Sequence, residues 1–278
     1  MNKTVNLLLK TLEQYAEPKY LEFFHKLSPD IKALGVRSPI LQKIVKNFSK
    51  EHDLLKALDK LDTNAPYELL FAKAFAISQL EFGEVKLAKI KEFLPYLNGW
   101  AICDGFCTLL KDTKLHQKEY FDFILPLFSS NQEFTQRFAF VMALIYFNEQ
   151  EYLPTLFKIF DETNTRHYYV HMAVAWAIAT IYCYHKEETY AYLKDCKLSK
   201  STFNQTIRKI CESKLPTCED KELVKKLKRI WKFLYLGYDN PDFWKGGRAV
   251  ECIALEMRQT VLPSREFKSP PFLKFSYL

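Results

Sequence analysis

Apolar positions recur along the chain at intervals of three and four residues almost everywhere, and no convincing run alternates as a half-buried strand would. The interruptions are residues that open helices rather than glycines. Ser38 followed by Pro39, a cap with proline at the first helical position, opens a helix over Ile40–Phe48. Asn64 opens one to about Phe82, Asn98 one to about Leu110, and Asn131 one to about Phe147. Thr165 opens one to about Tyr184 and Ser199 one to about Glu212. Each is followed by a partner helix, over about 84–96, 115–129, 150–160, 186–195 and 219–235.

The successive starts are separated by 34, 33, 34 and 34 residues. A constant interval between helix hairpins marks an α-solenoid, because each hairpin can bury its apolar face only against its neighbours. The interval suits tetratricopeptide repeats, but their small-residue and Trp/Leu/Gly signature is missing. The expectation is an all-α fold, a solenoid of HEAT-like helical hairpins forming a curved array with a concave groove. Placing the first helices in register aligns Leu70, Asp104, Arg137, His171 and Gln205. Polar residues in the middle of very apolar helices could be a solvated outer stripe or the lining of a groove. Phe138, Phe140, Val141 and Met142 crowd around Arg137, which favours the groove.

Composition narrows the function classes. With 48% of its 278 residues hydrophobic, the chain can bury a core, which excludes disorder. Only 7 glycines occur, and neither GxGxxG nor GxxxxGK[ST] is present, which removes the usual nucleotide-binding enzymes. The longest apolar run, about Met172–Tyr184, is well short of the roughly 18 residues of a spanning helix. The N-terminus lacks signal-peptide architecture, so a soluble cytoplasmic protein with no membrane partner is expected. Seven cysteines without a CxxC read as buried free thiols rather than as disulfides or a metal site. The net charge of +7 permits a polyanionic partner without requiring one.

Asn98-Gly99-Trp100-Ala101-Ile102-Cys103-Asp104 sets an indole and a carboxylate one helical turn apart. Together with Phe134-Thr135-Gln136-Arg137 and Tyr168 through Trp176, this stretch resembles the AlkD-like DNA alkylation-repair glycosylases. Leu34-Gly35-Val36-Arg37-Ser38-Pro39 and Ile207 through Ser213 also match, so the resemblance runs in order over about residues 5–230. The chain departs from the family at Ala175, where glycine is usual, and at Ala179 and Thr180, where the characterised enzymes carry an Arg-Glu pair.

The resemblance implies binding to double-stranded DNA and release of cationic N3- or N7-alkylpurine lesions by a monomer, without metal or cofactor. It implies that Asp104 stabilises an oxocarbenium-like sugar and that Trp100 and Trp176 hold the cationic nucleotide. Arg137 would hold a backbone phosphate, and Tyr168, Tyr169 and His171 would line the cleft near the DNA. Arg37, Ser38 and Lys43, around a helix N-terminus, would make further phosphate contacts. The family is thought to act without fully flipping the base into a pocket. Competing readings are a non-catalytic DNA-binding protein on the same scaffold and a protein-binding solenoid. Residues 1–230 form the expected repeat domain. Residues 231–278, with 4 of the 12 prolines and 3 of the 7 glycines, form an extension outside it.

Overall fold

The computed structural model describes residues 3–227, and every regular element among them is a helix. The extension expected over 231–278 lies outside the described residues, as does the end of the partner helix expected over 219–235. The described residues divide into two compact units, the first ending at Leu109 and the second starting at Leu110. None of the helices among the described residues is long and apolar enough to cross a membrane.

The first unit holds α1 (Lys3–Glu13), α2 (Pro18–Leu27), α3 (Ser38–Glu51), α4 (Leu54–Ala57), α5 (Tyr67–Ser78), α6 (Glu84–Phe93) and α7 (Trp100–Leu109). Its centre is α5, which packs against α3, α4, α6 and α7. From Tyr67 to Ser78 every residue of α5 except Phe75 is buried, charged ones included. The Glu68 carboxylate is tolerated there because it accepts the backbone N–H groups of Leu34, Gly35 and Val36 at 2.9, 2.9 and 3.2 Å. Burial still pushes its pKa above the ordinary carboxylate value. Lys86 of α6 closes the other end of α5, its ammonium donating to the carbonyls of Ser78 (2.9 Å) and Leu80 (3.0 Å). A cation at a helix C-terminus meets both the unpaired carbonyls and the negative end of the dipole.

The second unit holds α8 (Gln117–Ile124), α9 (Glu133–Tyr146), α10 (Leu153–Glu162), α11 (Tyr168–Tyr184), α12 (Lys186–Asp195), α13 (Lys200–Glu212) and α14 (Cys218–Lys225). Here α11 lies between α9 and α13, so three hairpin-opening helices pack side by side. They carry the core, with α11 burying Val170 through Ala175 and Ala177 through Tyr182. The partner helices bury one side only, as Leu153, Leu156 and Phe160 do on α10. Within each unit this is the side-by-side packing of helix hairpins consistent with an α-solenoid.

The hairpin-opening helices start at Tyr67, Trp100, Glu133, Tyr168 and Lys200, intervals of 33, 33, 35 and 32. The expected helix openers do something different from what their residue types suggested. Of those six, only Ser199 caps its own helix, its hydroxyl accepting the Thr202 N–H at 3.2 Å. Asn98 instead donates to the Thr63 carbonyl at 3.2 Å, and Thr165 accepts from the Thr202 hydroxyl at 2.9 Å. Those side chains tie one hairpin's loop to the next. Ser38 is also not a cap. Arg37 takes the cap position, and Ser38 is the first helical residue and is buried. Among the described cysteines, Cys103, Cys107 and Cys196 are buried free thiols, whereas Cys218 is exposed.

Candidate functional site

In the first unit, Gly99 leads into α7 with little room to spare, since a Cβ there would meet the Ile31 side chain at 3.2 Å. Trp100 opens the helix and Asp104 follows one turn later, as the spacing requires. Both are buried, Asp104 to 8% exposure and Trp100 to 2%, and the indole Nε1 has no hydrogen-bond partner. The Trp100 ring is therefore packed inside the unit in this conformation.

Arg37 stands half-exposed at the start of α3. Its Nε donates to both carboxylate oxygens of Glu17 at 3.0 Å, and its guanidinium lies 5.1 Å from the Tyr20 ring centroid. Ser38 is buried, and Lys43 is exposed on α3. Lys46 and Lys50 are exposed with it, at spacings of three and four that place the three ammonium groups along one side of the helix. Lys46 and Lys50 were readable from the sequence spacing, but the resemblance drew attention only to Lys43.

In the second unit, Arg137 is 1% exposed, among the largest wholly buried side chains of the described residues. Its Nη1 donates to the carbonyl of Tyr169 at 2.8 Å, and its Cζ lies 5.8 Å from the centroid of the same tyrosine's ring. Glu133, one turn earlier on α9, accepts the Tyr169 N–H on Oε1 at 2.9 Å. The Phe134 and Tyr169 rings stand 5.0 Å apart, and Tyr168 meets Tyr169 edge-on at 5.2 Å. Burial raises the Tyr168 phenol, against the opposing pull of Arg137 and Arg208. Both tyrosines keep partial exposure. The structure thus brings together Arg137, Tyr168 and Tyr169, and adds Glu133 and Phe134 to them.

His171 is buried, with Nδ1 3.0 Å from the Thr202 hydroxyl. Because that hydroxyl's hydrogen goes to Thr165, Nδ1 is assigned as the protonated nitrogen. Burial depresses the imidazole pKa below its ordinary value, so the ring is neutral at neutral pH. A neutral imidazole brings no charge to a phosphate. Trp176, in the third turn of α11, is partly exposed, unlike the residues on either side of it.

The aligned polar residues are not a solvated stripe. Asp104 and Arg137 are each the fifth residue of their helix and His171 is the fourth, and all three are buried. Gln205 is partly exposed. Among the described residues no group of three His, Cys, Asp or Glu side chains is arranged to hold a metal ion. A family model described as DNA alkylation repair enzyme matches residues 8–210, a span that contains every candidate residue above. No curated protein matches the chain.

Proposed function

The chain belongs to the DNA alkylation repair enzyme family, and from that premise we propose that it is a monofunctional DNA glycosylase. Its substrate on this reading is duplex DNA carrying a cationic N3- or N7-alkylpurine, and its reaction is hydrolysis of the N-glycosidic bond. The hairpins would form a curved, HEAT-like array with DNA on the concave side, a reading that the regular interval between hairpin starts supports.

The observation that carries the chemical reading is Asp104 itself, a carboxylate buried on α7 one turn after Trp100. Alkylation at N3 or N7 makes the purine a cation and a good leaving group, so little acid catalysis is needed. As the bond breaks, positive charge moves onto the sugar. A fixed carboxylate beside that charge stabilises the transition state more than the ground state, and its field is screened less in a buried site than in water. The same carboxylate can orient the attacking water. Trp176, which is partly exposed, would supply an aromatic ring for a cationic nucleotide, an attraction of about 0.5–2 kcal/mol. Lys43, Lys46 and Lys50 supply exposed cations for backbone phosphates, with Arg37 beside them.

One observation favours the second reading, a non-catalytic DNA-binding protein: the Trp100 ring is covered, so it offers no open face to a lesion in this conformation. Incubating the protein with methylated duplex DNA and measuring free 3-methyladenine and 7-methylguanine separates the two. Release above the spontaneous rate supports the glycosylase. Duplex binding without release leaves the non-catalytic reading, and absence of binding removes both.

A further inference from the structure

The first turn of α11 has no cap of its own. His167 occupies the cap position and makes no side-chain bond to the helix. The first N–H groups of a helix have no partner within it, so something else must accept them. Glu133 does this from the neighbouring helix, taking the Tyr169 N–H at 2.9 Å and placing a carboxylate at the positive end of the α11 dipole. One turn along α9, Arg137 takes the carbonyl of that same residue at 2.8 Å. Both main-chain polar groups of Tyr169 are thus held by one turn of α9, while Phe134 and the Arg137 guanidinium lie beside its ring. The Tyr168 ring rests edge-on against it, and both tyrosines remain partly exposed.

We infer that Glu133 and Arg137 are positioning residues, a two-point grip that aims the Tyr168–Tyr169 pair at the DNA backbone. On this inference Arg137 acts through the grip rather than as a phosphate ligand. The inference rests on the DNA-binding reading above. Its geometry is specific, because Arg137 is 1% exposed and its Nη1 is committed to a main-chain carbonyl, which leaves the side chain little surface to offer a phosphate. It also reverses the sign expected of Glu133. Near DNA an acidic residue repels the backbone, so electrostatics alone predict tighter binding when it is removed. The grip predicts weaker binding.

The test measures duplex affinity across a salt series for wild type, Glu133→Ala, Glu133→Gln and Arg137→Ala. Glu133→Ala is expected to weaken binding on the order of 10-fold, the cost of one charge-assisted hydrogen bond. Glu133→Gln, whose amide oxygen can still accept the Tyr169 N–H, is expected to restore most of that loss. Arg137→Ala is expected to weaken binding without changing the slope of log K against log salt. A slope reduced by about 0.9, the counterion signature of one phosphate left unneutralised, would overturn the positioning role of Arg137. Tighter binding by Glu133→Ala would overturn that of Glu133. Arg137 is buried and its alanine variant could fail to fold, but Glu133 is only partly buried and carries the test without it. Amide hydrogen exchange over 168–172 reads the grip without DNA: it should quicken in Glu133→Ala and stay slow in Glu133→Gln. If wild type fails to bind duplex DNA, the functional reading falls, and exchange still decides whether the grip exists. Unchanged exchange in Glu133→Ala would remove the grip whatever the DNA result.

Discussion

Asp104 carries the most direct residue-scale prediction. Asp104→Asn keeps size and hydrogen-bonding capacity but removes the charge, so base release should fall on the order of 10²–10³-fold. Affinity for an uncleavable duplex should barely change, because the carboxylate acts mainly in the transition state. Single-turnover release set beside equilibrium binding checks both halves, and an unchanged release rate would remove Asp104 from the mechanism. His171 gives a prediction about stability. Its folded pKa is depressed relative to the unfolded value near 6.5, so the unfolded chain binds the proton more readily. The stability it contributes is present above about pH 6.5 and is lost as pH falls through the folded value. Glu68, with its raised pKa, works in the opposite direction. Urea midpoints of wild type and His171→Gln at pH 7.5 and pH 5 isolate the histidine: the variant should lose less stability on acidification.

At this scale the sequence showed which positions were unusual but not how they were used. The polar register through Asp104, Arg137 and His171 was legible because polar residues interrupt apolar helices. That Arg137 would hold a main-chain carbonyl of α11 was not legible, since the bond spans 32 residues and depends on which helix lies beside α9. The covering of Trp100 was hidden for the same reason, because burial is a property of neighbours rather than of spacing.

Elements were easier to read. Helix periodicity is local, so hairpins and their interval emerged from the chain alone, and the first helices begin within a few residues of where the openers placed them. The capping expectation failed at Asn98 and Thr165 because these residues found partners in an adjacent repeat, the loop carbonyl of Thr63 and the hydroxyl of Thr202 in the first turn of α13 respectively. A side chain that could cap its own helix was used between repeats instead. The entry to α3 is a second element fixed from outside, through Glu68. Gly35 lies there at φ 87°, and a Cβ would stand 2.8 Å from that of Leu21 and 3.0 Å from the Glu17 carbonyl. Gly35→Ala should therefore destabilise the first unit by about 1–3 kcal/mol, through left-handed strain and steric crowding together. Chemical denaturation measures this directly, and a variant as stable as wild type would show that the segment can relax.

For the molecule as a whole, the relevant quantity is charge. A net +7 says little about where cations stand, but the exposed row Lys43, Lys46 and Lys50 gives it a location. If this row tracks phosphates, duplex binding should weaken steeply with salt. Replacing all three with alanine should flatten log K against log salt by up to about 0.9 for each phosphate that the row neutralises. The loss should be alike for all sequences, since phosphates carry no base identity. A triple variant with the wild-type slope would place the DNA elsewhere on the protein.

The bonds between successive hairpins have a mechanical consequence. Within the second unit, Thr165 of one hairpin is tied to Thr202 of the next, while α11 and α13 lie flank to flank. Cohesion of this kind acts between nearest neighbours, so tension on the chain peels the terminal hairpin before it loads the one behind it. The starts of α9, α11 and α13 are 35 and 32 residues apart. At about 3.3–3.6 Å of extended chain per residue, each detachment releases roughly 105–125 Å of contour. Under load, such a unit behaves as a ratchet of nearly equal steps rather than as a single brittle body.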